Sequence, residues 1–166
     1  MNNELPKTID GIPTDKNATE QRREIVKNTY LELLERLQRI KGEKVVYNDF
    51  LNVEVYVSMR ESGKKASNSS TKNWQSTYAV KNLEKIIKDA KPLPDVPIYK
   101  VPKTTGKQKE FNYVNLATLF YEFESDEFDY MNFTVKLTLG IKNDGRHIQY
   151  SISKIEVRFL EKKNTL

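Results

Sequence analysis

Six polar side chains near the end of the chain have the right types to act together on a phosphodiester. They are Lys136, Thr138, His147, Gln149, Ser151 and Ser153. A His can take or give a proton near neutral pH. A Lys can stabilise charge developing on phosphate oxygens, and hydroxyls can orient the group. With Lys64 added from the middle of the chain, the set for metal-free strand cleavage is His147, Lys136, Lys64 and Ser153. The plainer alternative is that Lys, Thr, Gln and Ser decorate any wet sheet face. His147 sits beside a turn, which places it at the sheet edge.

A second constellation is Gly63-Lys64-Lys65 followed by Ser67, Asn68, Ser69, Ser70 and Thr71. Small and hydroxyl residues ahead of a helix suit an anion, because the first N–H groups of a helix are free. The spacing is not that of a nucleotide-binding P-loop. Capping of the helix that follows explains the same residues. Glu122, Glu124, Asp126, Glu127 and Asp129 cluster as oxygen ligands do, but their spacing does not fit a calcium loop and a solvated turn accounts for them. The chain has no Cys and one His, so a disulfide framework, a thiolate metal site and a His cage are excluded. No metal and no cofactor is expected.

Charge points to a partner. The net charge is +5, from 28 basic and 23 acidic residues. Residues 60–110 hold twelve basic and five acidic groups, net +7, while the segments on either side are each −1. A local excess of that size attracts polyanions, and RNA and DNA are the common ones. The expected phosphate contacts are Arg60, Lys64, Lys65, Lys72 and Lys81, with Lys85, Lys88, Lys103, Lys107 and Lys109. Only one of the twelve basic residues is Arg, which argues against sequence-specific reading, where the planar fork of Arg is favoured. A solvated Lys-rich helix and loop is the bland alternative.

These residues need elements to hold them. Residues 1–18 carry Pro6, Gly11, Pro13 and no periodicity, and read as a disordered arm. A helix follows from a Thr19 cap, with Ile25, Tyr30, Leu33, Leu34, Leu37 and Ile40 on one stripe and Gly42 as its stop. Lys44–Asn48 and Val53–Met59 read as strands, and 60–72 as a polar loop. A helix over 72–88 uses Trp74, Tyr78, Leu83, Ile86 and Ile87. Four prolines between Pro92 and Pro102 impose an extended connection. Three strands finish the chain: 113–124, 132–142 and 147–159. The expected class is α+β, order α-β-β-α-β-β-β, an antiparallel sheet of about five strands with two helices on one face. One domain covers 19–160, with a flexible tail at 161–166.

Asp144-Gly145 signals a tight hairpin. A two-residue loop pairs Ile141 with Ile148, Leu139 with Tyr150 and Leu137 with Ile152. The other face then pairs Lys142 with His147, Gly140 with Gln149, Thr138 with Ser151 and Lys136 with Ser153. This register separates a wholly apolar face from a wholly polar one.

Short motifs carry a family resemblance: Gly42-Glu-Lys-Val-Val46, Gly63-Lys-Lys65, Ala79-Val-Lys-Asn-Leu-Glu-Lys-Ile-Ile-Lys-Asp-Ala90, Leu119-Phe-Tyr121, Phe133-Thr-Val-Lys-Leu-Thr138 and Ser151-Ile-Ser-Lys-Ile-Glu156. In this order they resemble a large polyvalent protein-associated domain of phages and conjugative elements, over residues 40–157. The resemblance implies an α+β fold, a mobile-element context and kinship with barnase-, EndoU-, colicin- and RelE-like metal-free ribonucleases. The family pattern has His where this chain has Thr118 and Tyr150, which implies a binding or accessory role at least as well as a nuclease. The leading expectation is therefore a non-catalytic domain contacting RNA or DNA. The alternatives are a metal-free ribonuclease and a protein–protein module that meets a host or mobile-element protein, through the Tyr30–Ile40 stripe or the aromatics Phe120, Tyr121, Phe123, Phe128 and Tyr130. No leader-like or membrane-spanning apolar run is present, so a cytoplasmic protein with no membrane partner is expected.

Overall fold

The structure, a computed structural model, describes residues 6–124 and 131–159, with side chains through Ser153. Its class is mixed α+β: five helices, a six-stranded mixed sheet and a two-stranded sheet among the described residues.

The segment expected as a loose arm carries a small hairpin, β1 (Thr8–Ile9) and β2 (Ile12–Pro13), turned by Asp10 and Gly11, both at positive φ. Two apolar residues and one buried cation hold it. Ile9 and Ile12 enter the core. Arg22, fully buried on the first helix, donates to the carbonyls of Pro13, Asp15, Lys16 and Thr71 at 2.5–3.2 Å. A fork of five donors suits several converging carbonyls. Helix α1 (Thr19–Lys41) then runs to Gly42 at φ +72, whose N–H closes on the Gln38 carbonyl. Thr19 opens α1 rather than capping it, and Ile40 is exposed.

Strands β3 (Val45–Asn48) and β4 (Val53–Tyr56) form a hairpin. Buried Asn48 ties it to the helices: its amide donates to the Ile87 and Ala90 carbonyls, and its Oδ1 accepts from the Leu51 N–H. The expected polar loop is helical instead. A π-helical turn (Met59–Gly63) runs into α2 (Lys64–Ser69). Ser58 caps the turn by accepting from the Glu61 N–H at 3.2 Å, and the hydroxyls of Ser62, Ser67 and Ser69 satisfy themselves on carbonyls four residues back. Gly63 lets the turn close on Tyr30, since a Cβ there would lie 2.4 Å from Met59 Sδ and 3.3 Å from the Tyr30 ring.

The single helix expected over 72–88 is two, α3 (Trp74–Lys81) and α4 (Leu83–Asp89), broken at Asn82, whose side chain bonds the Tyr78 carbonyl. Asn73 caps α3 by accepting from the Ser76 N–H, not a Ser or Thr. The Pro-rich stretch lies along the sheet edge and contributes β5 (Tyr99–Lys100), followed by α5 (Gly106–Glu110).

With β6 (Asn115–Phe123), β7 (Met131–Ile141) and β8 (His147–Phe159), the sheet order is β3-β4-β8-β7-β6-β5. The expected all-antiparallel arrangement is corrected at one seam. β4 and β8 run parallel, Val55 opposite His147, which the long connection between them allows. Helices α1, α3 and α4 cover one face and build the main core with Val46, Val55, Leu119, Phe133, Val135, Leu137 and Leu139. Trp74, Tyr78, Phe123 and Phe133 meet there edge-on or stacked, with ring centres 4.8–6.4 Å apart.

The hairpin register is the main correction. Near the turn, Ile141 faces His147, Gly140 faces Ile148 and Leu139 faces Gln149, one step from the expected pairing. The loop is longer than two residues: the Lys142 N–H bonds the Arg146 carbonyl and the Gly145 N–H bonds the Lys142 carbonyl. A bulge between Thr138 and Leu139 then restores the expected pairs Thr138–Ser151, Leu137–Ile152 and Lys136–Ser153, with Tyr150 as the extra residue. Gln149 therefore enters the core, where its Oε1 accepts from the Tyr30 hydroxyl at 2.9 Å. Ile148 and Tyr150 go to the opposite face, which is not wholly polar.

Replacing Arg22 by Met or by Lys is expected to cost about 2–4 kcal/mol in a urea titration, because neither can serve four carbonyls held in place. A loss under about 0.5 kcal/mol, the range of an ordinary surface change, would show that Arg22 does not anchor the hairpin.

Candidate nucleic-acid interface

The face opposite the main core can be read in rows across the strands. The row nearest the β7–β8 turn is Tyr56, Ile148, Gly140, Leu116 and Lys100. Next come Ser151, Thr138 and Thr118, then Ser153, Lys136 and Phe120. The first row is roofed by aromatics. Phe111, Tyr113 and Tyr150 pack with Leu116 and Ile148 as a second buried cluster, their ring centres 5.4–6.4 Å apart. Gly140 makes the roof fit: a Cβ at that position would stand 2.3 Å from the Tyr113 ring.

Cations surround this cluster. Arg60 lies 5.3 Å and Lys107 5.8 Å from the Phe111 ring centre, Lys65 3.9 Å from that of Tyr150, Lys142 5.2 Å from that of Tyr113 and Arg146 5.9 Å from that of Tyr56. Each arrangement attracts the positive group to the electron-rich ring face. They are not equally available. Lys142 is internal: its Nζ meets Glu61 Oε1 at 2.7 Å and donates to the Phe111 carbonyl at 2.6 Å, while the Tyr113 hydroxyl donates to the same Glu61 oxygen at 3.1 Å. Lys107 pairs with Glu110 and Arg146 with Asp144. Arg60, Lys64 and Lys65 are exposed.

The other expected phosphate contacts divide by location. Lys109 lies on α5, whose last residue precedes Phe111, and Lys103 lies three residues ahead of that helix. Lys81, Lys85 and Lys88 ride α3 and α4 on the core side, with Lys81 paired to Asp10 and Lys85 over Tyr121. Lys72 is exposed just ahead of α3. Lys142 and Arg146 are additions that the segment charge counts hide, because they lie in a stretch that is net −1.

The cleavage set does not assemble. Lys136 and Ser153 are cross-strand partners. His147 shares the core-side face with Ile141 and Val55. It is five strand positions from Lys136, roughly 17 Å along the sheet, and on the other side. Its ring is half-buried, its Nδ1 is 2.9 Å from the Gly145 carbonyl, and burial lowers its pKa despite that bond. Lys64 stands off the sheet on α2. Thr118 and Thr138 are buried within the face, and Gln149 is in the core. The Ser67 and Ser69 hydroxyls are engaged inside α2, so the expected anion cradle has no free hydroxyl pair there. Of the acidic cluster, Asp126, Glu127 and Asp129 lie outside the described residues, as do the aromatics Phe128 and Tyr130. Phe120 and Phe123 are buried, and Phe120 lines a hollow on the open face. No described helix is long and apolar enough to cross a membrane.

Compared with protein-family profiles, curated proteins and solved structures, the chain matches none.

Two measurements check this geometry. Gly140→Ala is expected to lower stability by about 1–3 kcal/mol, because the Tyr113 ring must move off the sheet. An unchanged urea midpoint would refute the close seat. Burial pushes the Tyr30 hydroxyl up to about 12, against the opposing hydrogen bonds to Ser62 and Gln149, and burial and the Glu61 carboxylate raise Tyr113 as well. A raised folded value means stability is intact below pH ~10 and falls as pH climbs towards 12. Tyrosinate absorbance of the folded protein should show late-ionising hydroxyls, with one fewer in Tyr30→Phe.

Proposed function

We propose that this chain is a non-catalytic accessory domain that contacts nucleic acid through the cation-ringed aromatic end of its sheet. It would be a domain of the kind carried by phages and conjugative elements. One observation carries the reading. Arg60, Lys65, Lys107 and Lys142 come from three separate stretches of the chain, yet all lie over the rings of a single aromatic cluster, and Arg146 lies over Tyr56, which packs against it. Lys64 adjoins Lys65 in sequence, and Lys103 and Lys109 bracket Lys107. Lys142 and its partner Glu61 are the fixed base of this surface, and the exposed Arg60, Lys64 and Lys65 are its reach.

Backbone contact is what such a surface offers. Lysine ammonium groups and two guanidiniums can neutralise phosphates and release counterions. The rings beneath are buried, so they support the cations and do not read bases. The mobile-element part of the reading rests on the motif resemblance. The separation of His147 from Lys136, Ser153 and Lys64 favours binding over cleavage.

Fluorescence anisotropy with labelled RNA and DNA over a salt series tests the proposal. Affinity should fall steeply with salt. The double variant Arg60→Ala/Lys65→Ala should weaken binding about tenfold or more and flatten the log–log slope by about 1.5. Lys81→Ala/Lys88→Ala, on the far side, should change little. Salt-independent affinity, or equal losses in the two double variants, would overturn the reading. Loss of full-length RNA in the presence of chelator would reinstate the ribonuclease alternative.

A further inference from the structure

We propose that the hollow beside Lys136 seats one unpaired base of a single strand, an inference that rests on the nucleic-acid reading above and gives it a substrate class. The hollow lies on the same sheet face as the cation ring, towards its other end. It encloses about 570 Å³, within the range of pockets for small ligands. Its floor is Phe120, Thr118 and Thr134 on β6 and β7, and its wall is Leu93, Val96 and Pro97 from the edge segment.

Three features select the occupant. The first is the apolar middle. Leu93 and Val96 are 42% and 37% exposed, so flat apolar surface there is open to a partner. The second is charge. Lys91, Lys100 and Lys136 border the hollow against a single carboxylate, Glu122, so a ligand bearing negative charge at more than one end is matched. A base offers two apolar faces and a polar edge, with a phosphate on either side. Thr118, Thr134 and Glu122 can meet the edge, and the lysines the phosphates. The third is the wall itself. Pro92, Pro94 and Pro97 have fixed φ and no N–H, so the wall is stiff and offers few donors to an added peptide strand.

The position also fits a continuous path. The hollow and the aromatic roof are separated by about four residues along β7, roughly 13 Å, on one face. The hydroxyl row of Thr118, Thr138 and Ser151 lies between them. A strand whose phosphates meet Arg60 and Lys65 can therefore continue across the sheet to Lys136. A duplex cannot use the hollow without first unstacking a base, which costs energy.

The test compares a 2-aminopurine-labelled single strand with a hairpin duplex of equal charge, at fixed salt. The full chain should bind the single strand about tenfold more tightly, the scale of covering one base face with apolar side chains, and the base fluorescence should change on binding. Leu93→Ser/Val96→Ser, at exposed sites, should erase that preference and leave duplex affinity unaltered. Equal affinity for both forms in the native protein would overturn the base seat while leaving the cation ring standing, as would a preference that survives the double variant. Displacement of the single strand from the hollow by polyglutamate of equal charge would reassign it to an acidic peptide. No binding of either nucleic acid would remove both proposals.

Discussion

The insertion of Tyr150 as an extra residue in β8 is the constraint on which the rest of the molecule depends. A strand changes the face of every side chain when its pairing slips by one position. Here the slip lasts for three pairs and is then cancelled by the bulge. Within that interval Gln149 points into the core and Ile148 and Tyr150 point away from it. Gln149 is tolerated because the Tyr30 hydroxyl is in place to bond it. Ile148 and Tyr150 are tolerated because Phe111, Tyr113 and Leu116 close over them. Without the extra residue there would be no second cluster, and the cations would have no common surface.

Glu61 explains why the cluster is tied to the rest of the chain. Its carboxylate is nearly buried in the middle of the π-helical turn, where it receives Lys142 and Tyr113 together. A buried carboxylate without partners would be costly, and Lys142 alone would be as well. Paired, they join the Met59–Gly63 turn to the β7–β8 hairpin. The result orients α2, and with it Lys64 and Lys65, beside the open edge that β8 presents beyond the end of β4. The sheet's basic rim is thus built from inside, by one acidic residue that the surrounding +7 segment makes easy to overlook.

How much of this was legible follows from the range of each signal. Apolar periodicity and Gly42 delimit α1 because both act within a few residues. The strand alternation in 132–142 is equally local and matches β7 closely. Asp144-Gly145 announces a turn, but the same pair serves loops of two or three residues, and choosing between them takes the distant partner of Gln149. Alternation around Ile148, Gln149 and Tyr150 cannot report that Tyr30 waits 119 residues away. The hairpin at 8–13 is too short for any period and depends on Arg22. The basic middle third was readable as a charge excess. Which of its lysines share a face was not, because α3 and α4 send Lys81, Lys85 and Lys88 to the side opposite α5. Lys142 and Arg146 were missed since averaging charge over a segment erases cations that tertiary structure gathers.

Sheet order carries one more consequence. β8 is the last of the described strands along the sequence, yet it stands at the centre, between β4 and β7. The β3–β4 hairpin pairs with nothing else in the six-stranded sheet. Closing that parallel seam brings together residues about ninety positions apart, a non-local step of the kind that slows folding. On a ribosome, the amino-terminal half would emerge with one strand edge bare and stay so until β8 cleared the exit tunnel. During that interval β4 is the segment most in need of shelter from other chains.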